Sequence, residues 1–541
     1  MHLKSLRYIV FLSRFIAKNI DCSKSKFIYK FYIMRKIYLL AAFLLILGCR
    51  DEEVSAEQPT NEVSYSVTEI SFKPELNASV SDEIVLDYDG MQTFTAAIPY
   101  EVSIENLIAS ITLSSDGGFI QLDGSAFQNE VTAHNFGKEV ELEVFNSDQS
   151  NSWNYTIRLT YFTGLPILNI NTDNIPVDSR DMYVNGTLDL FGGLNYDDID
   201  NSAIQIRGRG NSTWFLHPKK PFQIKFESKI NILGMPEDRK WVLLAEYSDK
   251  TMLRNKLTYE MGAMSSLDYT PTGEYTELFL NNTHQGTYLL AQKVEESSNR
   301  VQIGDYGYLI EIDQQQRVDP DDVFFTPTIF TQEYNSNVFN IKAPNIGYGS
   351  PEFELIENHI NNFESVLFGP DFTDPDAGYR AFVDLDSFVD WFLINEIAKT
   401  VDAKWYSSIY FTYIPGEKIK MGPLWDFDLS YGNVDYADSQ YVDGFWVKDN
   451  LWISRMFEDP YFQALVEERF DYYYNSLGYF NQVIDDTSSY LNSAQEFNYA
   501  IWQSLGVYVW PNPVYYDTYE EEITHLKQWL SARLNWLAQE F

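Results

Sequence analysis

The pattern of apolar residues changes near residue 164, and this change divides the chain into two parts that must fold differently. Over residues 63–163, short runs such as VTEISF and EVELEVF alternate apolar with polar residues, and Gly, Asn, Asp and Ser separate the runs. Several such runs at close spacing, without a helical period, are typical of an all-β sandwich of roughly 100 residues. We therefore predict a first domain of this kind over residues 63–163.

Residues 164–541 mix strand patterns with helical ones, which predicts a second, α+β domain in a multidomain chain. Runs such as AIQIRGRG and KKPFQIKFES indicate strands, so a strand-rich front lobe is expected over residues 164–345. Over residues 346–541 apolar residues recur at helical spacing, which predicts a helical back lobe. One of its helices, DSFVDWFLINEIAKT, is expected to have Asp386 as its N-cap.

The N-terminus has the features of an export signal. Residues 34–48 contain a short basic start and an apolar run, and Cys49 follows directly. The run is too short for a membrane span of ~20 residues, but it suits the central region of a secretory signal peptide. We expect residues 1–33 to be an upstream extension, residues 34–48 a signal peptide and residues 49–62 a tether.

The sequence Ile46-Leu47-Gly48-Cys49 resembles the lipobox of bacterial lipoproteins. The resemblance implies lipidation of Cys49, a lipid anchor in the membrane and an extracytoplasmic position at the outer membrane or cell surface. The first domain is similar to the immunoglobulin-like spacers found at the front of such proteins. Because Cys22 is the only other cysteine, a mature chain that starts at Cys49 would have no disulfide and no cysteine nucleophile.

The chain is strongly acidic. It has 39 Lys and Arg against 78 Asp and Glu, a formal net charge of −39. The part after residue 48 alone holds 30 basic and 77 acidic residues, a formal charge of −47. Such a surface repels nucleic acid and favours cations or basic partners. The six histidines are scattered singly, which argues against a histidine-based metal or triad site.

The segment KIKMGPLWDFDLSYGN, residues 418–433, places two carboxylates after an apolar run. If the segment is a strand, Asp426 and Asp428 share one face about 7 Å apart at their Cα atoms. Two ionised carboxylates beside Trp425 and Phe427 need a compensating cation, and their oxygens suit Mg²⁺, Mn²⁺ or Ca²⁺. A turn with two solvated acids is the alternative.

A glycine-rich hairpin earlier in the chain has the composition of a phosphate-binding loop. The run AIQIRGRGNSTW brings Arg207, Arg209 and Asn211 together with two glycines. Glycine lets backbone N–H groups approach phosphate oxygens, and Lys225 on the return strand can reach the same anion. An ordinary hairpin is the alternative.

The spacing of these candidates resembles that of a protein kinase. Lys225 stands 15 residues after Gly210, as in a kinase N-lobe. Asp402 follows an amphipathic helix and precedes Asp426 by 24 residues, which suits a catalytic-loop base.

Five motifs, in this order, resemble the spore-coat protein H (CotH) kinase family: RGRGNSTW, KKPFQIKF, WVLLAEYSDKTMLRNKL, GTYLLAQKVEES and GPLWDFDLSYGN. The resemblance covers about residues 166–480. It implies an atypical protein-kinase-like fold and transfer of the γ-phosphate of ATP to Ser, or Thr, of a partner protein. The partner is expected to be extracytoplasmic and, given the acidity of this chain, basic and Ser-rich.

The resemblance also implies roles for the candidate residues. Lys225 would hold the phosphates of ATP, and Asp402 would orient or deprotonate the acceptor hydroxyl. Asp426 would bind Mg²⁺ (or Mn²⁺), with Asp428 as a helper. Candidates for phosphate contact or loop bracing are Arg207, Arg209 and Asn211.

The chain departs from the family pattern after the catalytic Asp. A His-Asn pair is usual there, and its Asn can bind a second metal ion, whereas this chain has Tyr406-Ser407-Ser408. Ser407 is therefore expected in the place of a metal ligand.

Two other functions fit parts of the sequence. One is a non-catalytic surface adhesin or glycan-binding lipoprotein on a kinase-like scaffold, because the 16% aromatic content supplies rings that stack on sugars. The other is a hydrolase that uses Asp402 and Asp426 as acid and base, which explains neither Lys225 nor the glycine-rich hairpin.

Overall fold

The computed structural model describes residues 65–99, 102–137, 139–193, 195–281 and 283–541. The expected upstream extension, the signal peptide, the lipidation site Cys49 and the tether lie outside these ranges. The chain divides into two compact units between Gly164 and Leu165. Within the described ranges, no helix is both long and apolar enough to span a membrane.

The first unit is rich in strands, as its alternating sequence predicts. The strands are β1 (Val67–Phe72), β2 (Ile84–Val85), β3 (Asp87–Tyr88), β4 (Thr93–Pro99), β5 (Leu107–Ile108), β6 (Ser110–Leu113), β7 (Phe119–Leu122), β8 (Ser125–Phe127), β9 (Ala133–His134), β10 (Val140–Phe145) and β11 (Ser152–Phe162). One sheet has the order β2-β1-β6, a second has the order β3-β4-β11-β10-β7-β8, and β5 pairs with β9. Alternate residues of β10, namely Val140, Leu142 and Val144, are buried in a core to which both larger sheets contribute. The immunoglobulin-like assignment stays a prediction.

The second unit begins with a closed barrel of seven strands. The strands are β12 (Ile167–Asn171), β13 (Val184–Phe191), β14 (Ile199–Gly208), β15 (Phe222–Ile232), β16 (Met235–Leu244), β17 (Gly273–Leu280) and β18 (Thr283–Gln292). Their order is β12-β13-β14-β15-β16-β18-β17, and parallel pairing of β12 with β17 closes the barrel. Apolar side chains such as Ile206, Ile224 and Trp241 fill its interior. The barrel is therefore a solid support for the turn between β14 and β15.

A second sheet and most of the helices form the rest of this unit. The strands are β19 (Tyr308–Gln314), β20 (Val323–Phe325), β21 (Asn337–Ala343), β22 (Ile409–Tyr413) and β23 (Lys420–Met421), in the antiparallel order β20-β21-β19-β22-β23. The helices of the unit are α1 (Ser212–Leu216), α2 (Arg254–Ala263), α3 (Thr328–Glu333), α4 (Pro351–Leu367), α5 (Leu385–Ala398), α6 (Leu451–Met456), α7 (Pro460–Asn475), α8 (Leu477–Tyr490), α9 (Asn492–Trp502) and α10 (Tyr519–Glu540). Strands β22 and β23 come from the helix-rich part of the sequence, so this sheet joins the two halves of the unit.

Helix α5 leads to the candidate catalytic residue Asp402. Its N-cap is Asp384, whose carboxylate accepts a hydrogen bond from the backbone N–H of Ser387. The expected cap at Asp386 is wrong, because that residue already lies in the first helical turn. The helix ends at Lys399, which has a left-handed backbone with φ of 49° and donates from its ammonium group to three backbone carbonyls. This buried C-terminal turn fixes the direction in which the chain continues to Asp402.

The strand that was expected to deliver Asp426 is shorter than its pattern predicts. Strand β23 ends at Met421, and Gly422 follows with φ of 106°, a backbone conformation that glycine adopts readily. Asp426 itself has φ of 70°, in the left-handed region. The prediction that Asp426 and Asp428 share one face of a strand is therefore wrong, and an irregular turn presents them instead.

Candidate active site

One cleft in the second unit collects most of the candidate residues. Its volume is about 1090 Å³. Six of the predicted site residues line it, namely Arg207, Arg209, Asn211, Asp402, Asp426 and Asp428. The two arginines and the Asn come from the end of β14 and the turn that follows it, whereas the three acids come from the segments after α5 and β23. The fold therefore brings together cations and acids that are far apart in the sequence.

The glycine-rich turn is held in shape by an arginine from another part of the barrel. Gly210 has φ of 81°, which lets the chain reverse after β14. Arg180 donates from Nη1 to the carbonyl oxygen of Gly210 at 2.6 Å and also to the side-chain oxygen of Asn211. The guanidinium of Arg180 lies 4.8 Å from the ring centre of Phe215. The side chain of Asn211 thus braces the turn.

Arg207 and Arg209 line the cleft, and the guanidinium group of each lies against an aromatic ring. The guanidinium carbon of Arg209 lies 5.3 Å from the ring centre of Trp425, and that of Arg207 lies 4.9 Å from the ring centre of Tyr183. Within the described residues, neither arginine has an ion-pair partner, and the buried Nε of Arg207 has no hydrogen-bond acceptor. Two guanidinium groups are therefore available to an anionic ligand.

Lys225 lies near this cleft but is not among the described residues that line it. Ile224 and Phe226 point into the barrel core, so Lys225 shares the other face of β15 with Gln223. Gln223 lines the cleft and donates to the hydroxyl of Tyr183, whereas the Nζ of Lys225 is 5.8 Å from the ring centre of that tyrosine. The cations that line this side of the cleft are instead arginines.

Asp402, Ser407 and Arg317 form a hydrogen-bonded chain beside the cleft. Ser407 Oγ donates to Asp402 Oδ2 at 3.0 Å and accepts from Arg317 Nη1 at 2.9 Å. On its other side, Arg317 Nε is 3.3 Å from Asp313 Oδ1. Burial, together with the charge of Asp426, raises the pKa of Asp402 to about 6, while Arg317 and Ser407 oppose the shift. The arrangement holds one oxygen of the Asp402 carboxylate in a fixed direction.

Ser407 has surroundings that differ from those of a metal ligand. It is 1% exposed, and it is not among the described residues that line the cleft. Its hydroxyl already donates to Asp402 and accepts from Arg317. The residue that replaces the usual Asn therefore orients a carboxylate.

Asp426 and Asp428 supply an excess of negative charge at one side of the cleft. Asp426 is exposed there, with Ser408 Oγ at 3.4 Å from its Oδ2. Burial and the charges of Asp426 and Asp249 raise the pKa of Asp428 well above its ordinary value. In the part of the chain that the structure describes, no group of three or more His, Cys, Asp or Glu side chains is placed to hold a metal ion. A divalent cation at Asp426 and Asp428 would thus need further oxygens from a ligand or from water, as is usual for Mg²⁺.

Sequence reasoning missed several cations that line this cleft, among them Arg180, Arg317 and Lys342. Arg180 precedes β13 and Arg317 follows β19, and neither belongs to a recognisable motif. Lys342, on β21, also lines the cleft, with its Nζ 3.6 Å from Glu311 Oε2. Only the pairing of strands and loops distant in the sequence brings these side chains to the site, so local spacing gives no signal for them.

Comparisons with known proteins identify a family. The family model described as CotH kinase protein matches residues 206–537. No curated protein matches the chain. Among solved structures, a protein of Bacteroides fragilis provisionally described as secreted covers 18% of this chain and 94% of its own, at 14% identity and a TM-score of 0.13. A protein of Bacteroides thetaiotaomicron provisionally described as a glycoside hydrolase covers 56% of this chain and 89% of its own, at 11% identity and a TM-score of 0.16.

At these TM-scores neither structure bears on the fold or the function. The family model spans more than half of the chain, including the arginine-rich turn and the cleft residues Asp402, Asp426 and Asp428. The chain therefore belongs to the CotH kinase family.

Proposed function

We propose that this chain is a CotH-like protein kinase that transfers the γ-phosphate of ATP to Ser, or Thr, of an extracytoplasmic partner protein. The observation that carries the proposal is the meeting of Asp402, Asp426 and Asp428 with Arg207 and Arg209 in one cleft. Phosphoryl transfer depends almost entirely on positioning and on compensation of charge. This cleft contains groups for both tasks, within a kinase-like fold that the family implies.

The residues of the cleft fit ATP with Mg²⁺ or Mn²⁺. Asp426 and Asp428 would hold the metal ion, which neutralises charge on the phosphate oxygens when bound. Arg207 and Arg209 would hold phosphate groups, and the unpartnered Nε of Arg207 is a donor that such a group satisfies. Lys225, outside the lining, would add to the positive field on the same side.

Asp402 would receive the proton of the acceptor hydroxyl. With a pKa of about 6, the carboxylate is ionised at neutral pH and still basic enough to take up a proton. The hydrogen bond from Ser407 is made to Oδ2 of Asp402 and fixes the orientation of the carboxylate. The other oxygen, Oδ1, would then take up the proton. Catalysis therefore does not require Ser407 to bind metal.

The acidity of the chain and its N-terminus define the setting that we propose. A net charge of −39 favours a basic, Ser-rich acceptor. Lipidation at Cys49 would anchor the protein at the outer membrane or cell surface, because acyl chains contribute ~0.8 kcal/mol for each buried methylene. A Cys49→Ser variant should then leave the envelope fraction, and its retention there would contradict the anchor.

The transfer assay uses residues 63–541 with labelled ATP, Mg²⁺ or Mn²⁺ and a Ser-rich basic protein. We expect Asp402→Asn and Asp426→Asn to lose incorporation by ~100-fold or more. Asp426→Asn should also weaken nucleotide binding, whereas Asp402→Asn should not. Asp386→Asn, an exposed substitution outside the cleft, is the matched control and should leave transfer unchanged. No incorporation by the unsubstituted protein with either metal, and no ATP-induced thermal shift, would overturn the proposal.

A further inference from the structure

An exposed aromatic surface borders the cleft. We call it the aromatic rim, and its members are Phe215, Leu216, Tyr436, Tyr508, Trp510 and Tyr515. All six side chains are exposed, between 36% for Trp510 and 67% for Phe215. Clusters of large exposed apolar side chains are uncommon on soluble proteins and usually mark a binding surface.

Contacts between its members hold the aromatic rim together. The rings of Tyr436 and Trp510 are stacked, with centres 5.9 Å apart and planes 10° from parallel. Tyr508 and Tyr515 have ring centres 6.4 Å apart. His217, the residue after α1, binds through Nε2 to the backbone oxygen of Trp510 at 3.0 Å. Tyr436 is thus in direct contact with the segment 508–515, and His217 joins that segment to the one that contains Phe215 and Leu216.

The aromatic rim is continuous with the proposed catalytic cleft. Tyr436, Trp510 and His217 line the same cleft as Asp402 and Asp426. A ligand that lies on the rim and enters the cleft must therefore be long enough to contact both. A polypeptide segment with a hydroxyl residue near apolar side chains is long enough to do so.

The charges around the rim favour basic partners. Asp435 accepts a hydrogen bond from the hydroxyl of Tyr508 at 2.6 Å, and Asp181 and Asp319 line the adjoining cleft. Two cations that lie against rim rings are engaged within the protein. Arg180, beside Phe215, donates to Gly210 and Asn211, and Lys250, beside Tyr515, is 2% exposed and donates to a backbone carbonyl. A glycan needs several converging polar groups, whereas the rim is mainly apolar and Asp435 is already hydrogen-bonded to Tyr508.

We propose that the aromatic rim docks the acceptor polypeptide, through apolar side chains that flank a basic segment with the phosphorylated Ser. The identity of this polypeptide as the acceptor rests on the proposed kinase function. Docking itself depends only on the rim and is measurable without catalysis.

Binding is tested with the full-length chain in the absence of nucleotide and metal. The probe is a fluorescent peptide with a central Ser, Lys residues on one side, and Phe and Leu on the other. The matched probe has Gly in place of Phe and Leu. We expect the apolar probe to bind about tenfold more tightly in fluorescence anisotropy, and Tyr436→Ala and Trp510→Ala to abolish this preference.

Two controls keep the result specific. Tyr306→Ala removes a ring that is 79% exposed and is not a cleft residue, and it should keep the preference. Tyr508→Ala should weaken the preference for the apolar probe. This variant tests the proposal independently if Trp510→Ala proves to be unfolded, as judged by its thermal transition. Equal binding of both probes, or no binding of either, would overturn the proposal.

The remaining outcomes separate docking from catalysis. Displacement of the apolar probe by a neutral oligosaccharide would assign the rim to glycans and overturn peptide docking. Rim-dependent peptide binding without phosphate incorporation would sustain docking and refute the kinase. Incorporation into both probes with equal KM would sustain the kinase and refute docking.

Discussion

At the scale of single residues, Asp402 is held by Ser407 and Arg317, which are hydrogen-bonded to each other, while Arg317 is ion-paired with Asp313. Ser407 is buried and is not among the described residues that line the cleft, and its hydroxyl donates to Asp402. Arg317 supplies the charge that favours the ionised carboxylate. Because these partners influence the pKa of Asp402, their removal should change the pH dependence of the proposed transfer reaction.

Arg317→Met should move the acid limb of the rate profile to higher pH. Burial raises the pKa of Asp402 to about 6 and Arg317 lowers it, so removing the guanidinium raises it further. The proposed base is then protonated at pH values where the unsubstituted protein should still transfer phosphate. Ser407→Ala should shift the limb in the same direction, and Arg317→Lys should restore it in part. A lower rate with an unchanged profile would show that Arg317 does not act on the base.

Asp402→Asn should make the folded protein more stable at neutral pH. The folded-state pKa of about 6 exceeds the ordinary value of 3.8, so the native state binds this proton more tightly than the unfolded state, and stability falls as pH rises from about 4 to 6. The amide removes this penalty, on the order of 1 kcal/mol at pH 7 for a half-buried group. The gain in the free energy of unfolding should shrink below pH 4, and a gain independent of pH would contradict this cause.

At the scale of elements, a buried ion pair fixes α5, and with it Asp402, against α10. Glu396 on α5 accepts from Arg533 on α10 at 2.6 Å, and both side chains are fully buried. Glu396 also accepts from the backbone N–H groups of Trp446 and Lys448. Burial raises the pKa of Glu396 and lowers that of Arg533 to about 10. Both directions show that desolvation opposes the charged forms, so we infer that the pair specifies position more than it adds stability.

Arg533→Met should destabilise the second unit strongly. It leaves the Glu396 carboxylate buried without its cation, which costs about 3–5 kcal/mol. Lys527→Met on the same helix is the matched control, because its ion pair with Asp485 is exposed and contributes below about 1 kcal/mol. Urea unfolding of both variants measures the difference. Equal midpoints would show that the buried pair has no such role.

The sequence allowed the elements to be predicted where local physics decides them. Apolar residues recur at helical spacing in α4, α5 and α10, and these helices form within residues 346–541, the lobe predicted to be helical. The strand through Asp426 was mispredicted because its alternation continues past Gly422, where the backbone turns. The barrel closure by β12 and β17, and the contact of Arg317 with Ser407, join residues about a hundred positions apart. Local periodicity contains no information about such pairs.

At the scale of the whole molecule, the two units have separate cores. The buried cluster of the first unit lies between Tyr65 and Ile157. The clusters of the second unit begin at Leu165. Among the described residues, each unit therefore has a buried apolar core of its own, which is what independent folding requires.

Residues 165–541 alone should fold and keep the site. We expect a cooperative thermal transition close to that of the longer chain, and the same ATP-induced shift with Mg²⁺, because every cleft residue belongs to this unit. Calorimetry of residues 63–541 beside the fragment measures both quantities. A fragment that is soluble but lacks a cooperative transition would show that the first unit is required for folding.

The wall of the barrel has a kinetic consequence. On strands β16 and β18, Leu243 and Leu290 point into the barrel interior. Their neighbours Val242 and Leu289 point outward, into the core that the barrel shares with the helices of the second unit. The front half therefore cannot swing away from the helices without exposing a face of its own sheet to water. In an enzyme whose two lobes must hinge apart in every catalytic cycle, the turnover rate falls as the solvent viscosity rises, because the moving lobes displace solvent. We expect the proposed phosphate transfer to keep the same rate in glycerol solutions of rising viscosity, once diffusion of the substrates is accounted for.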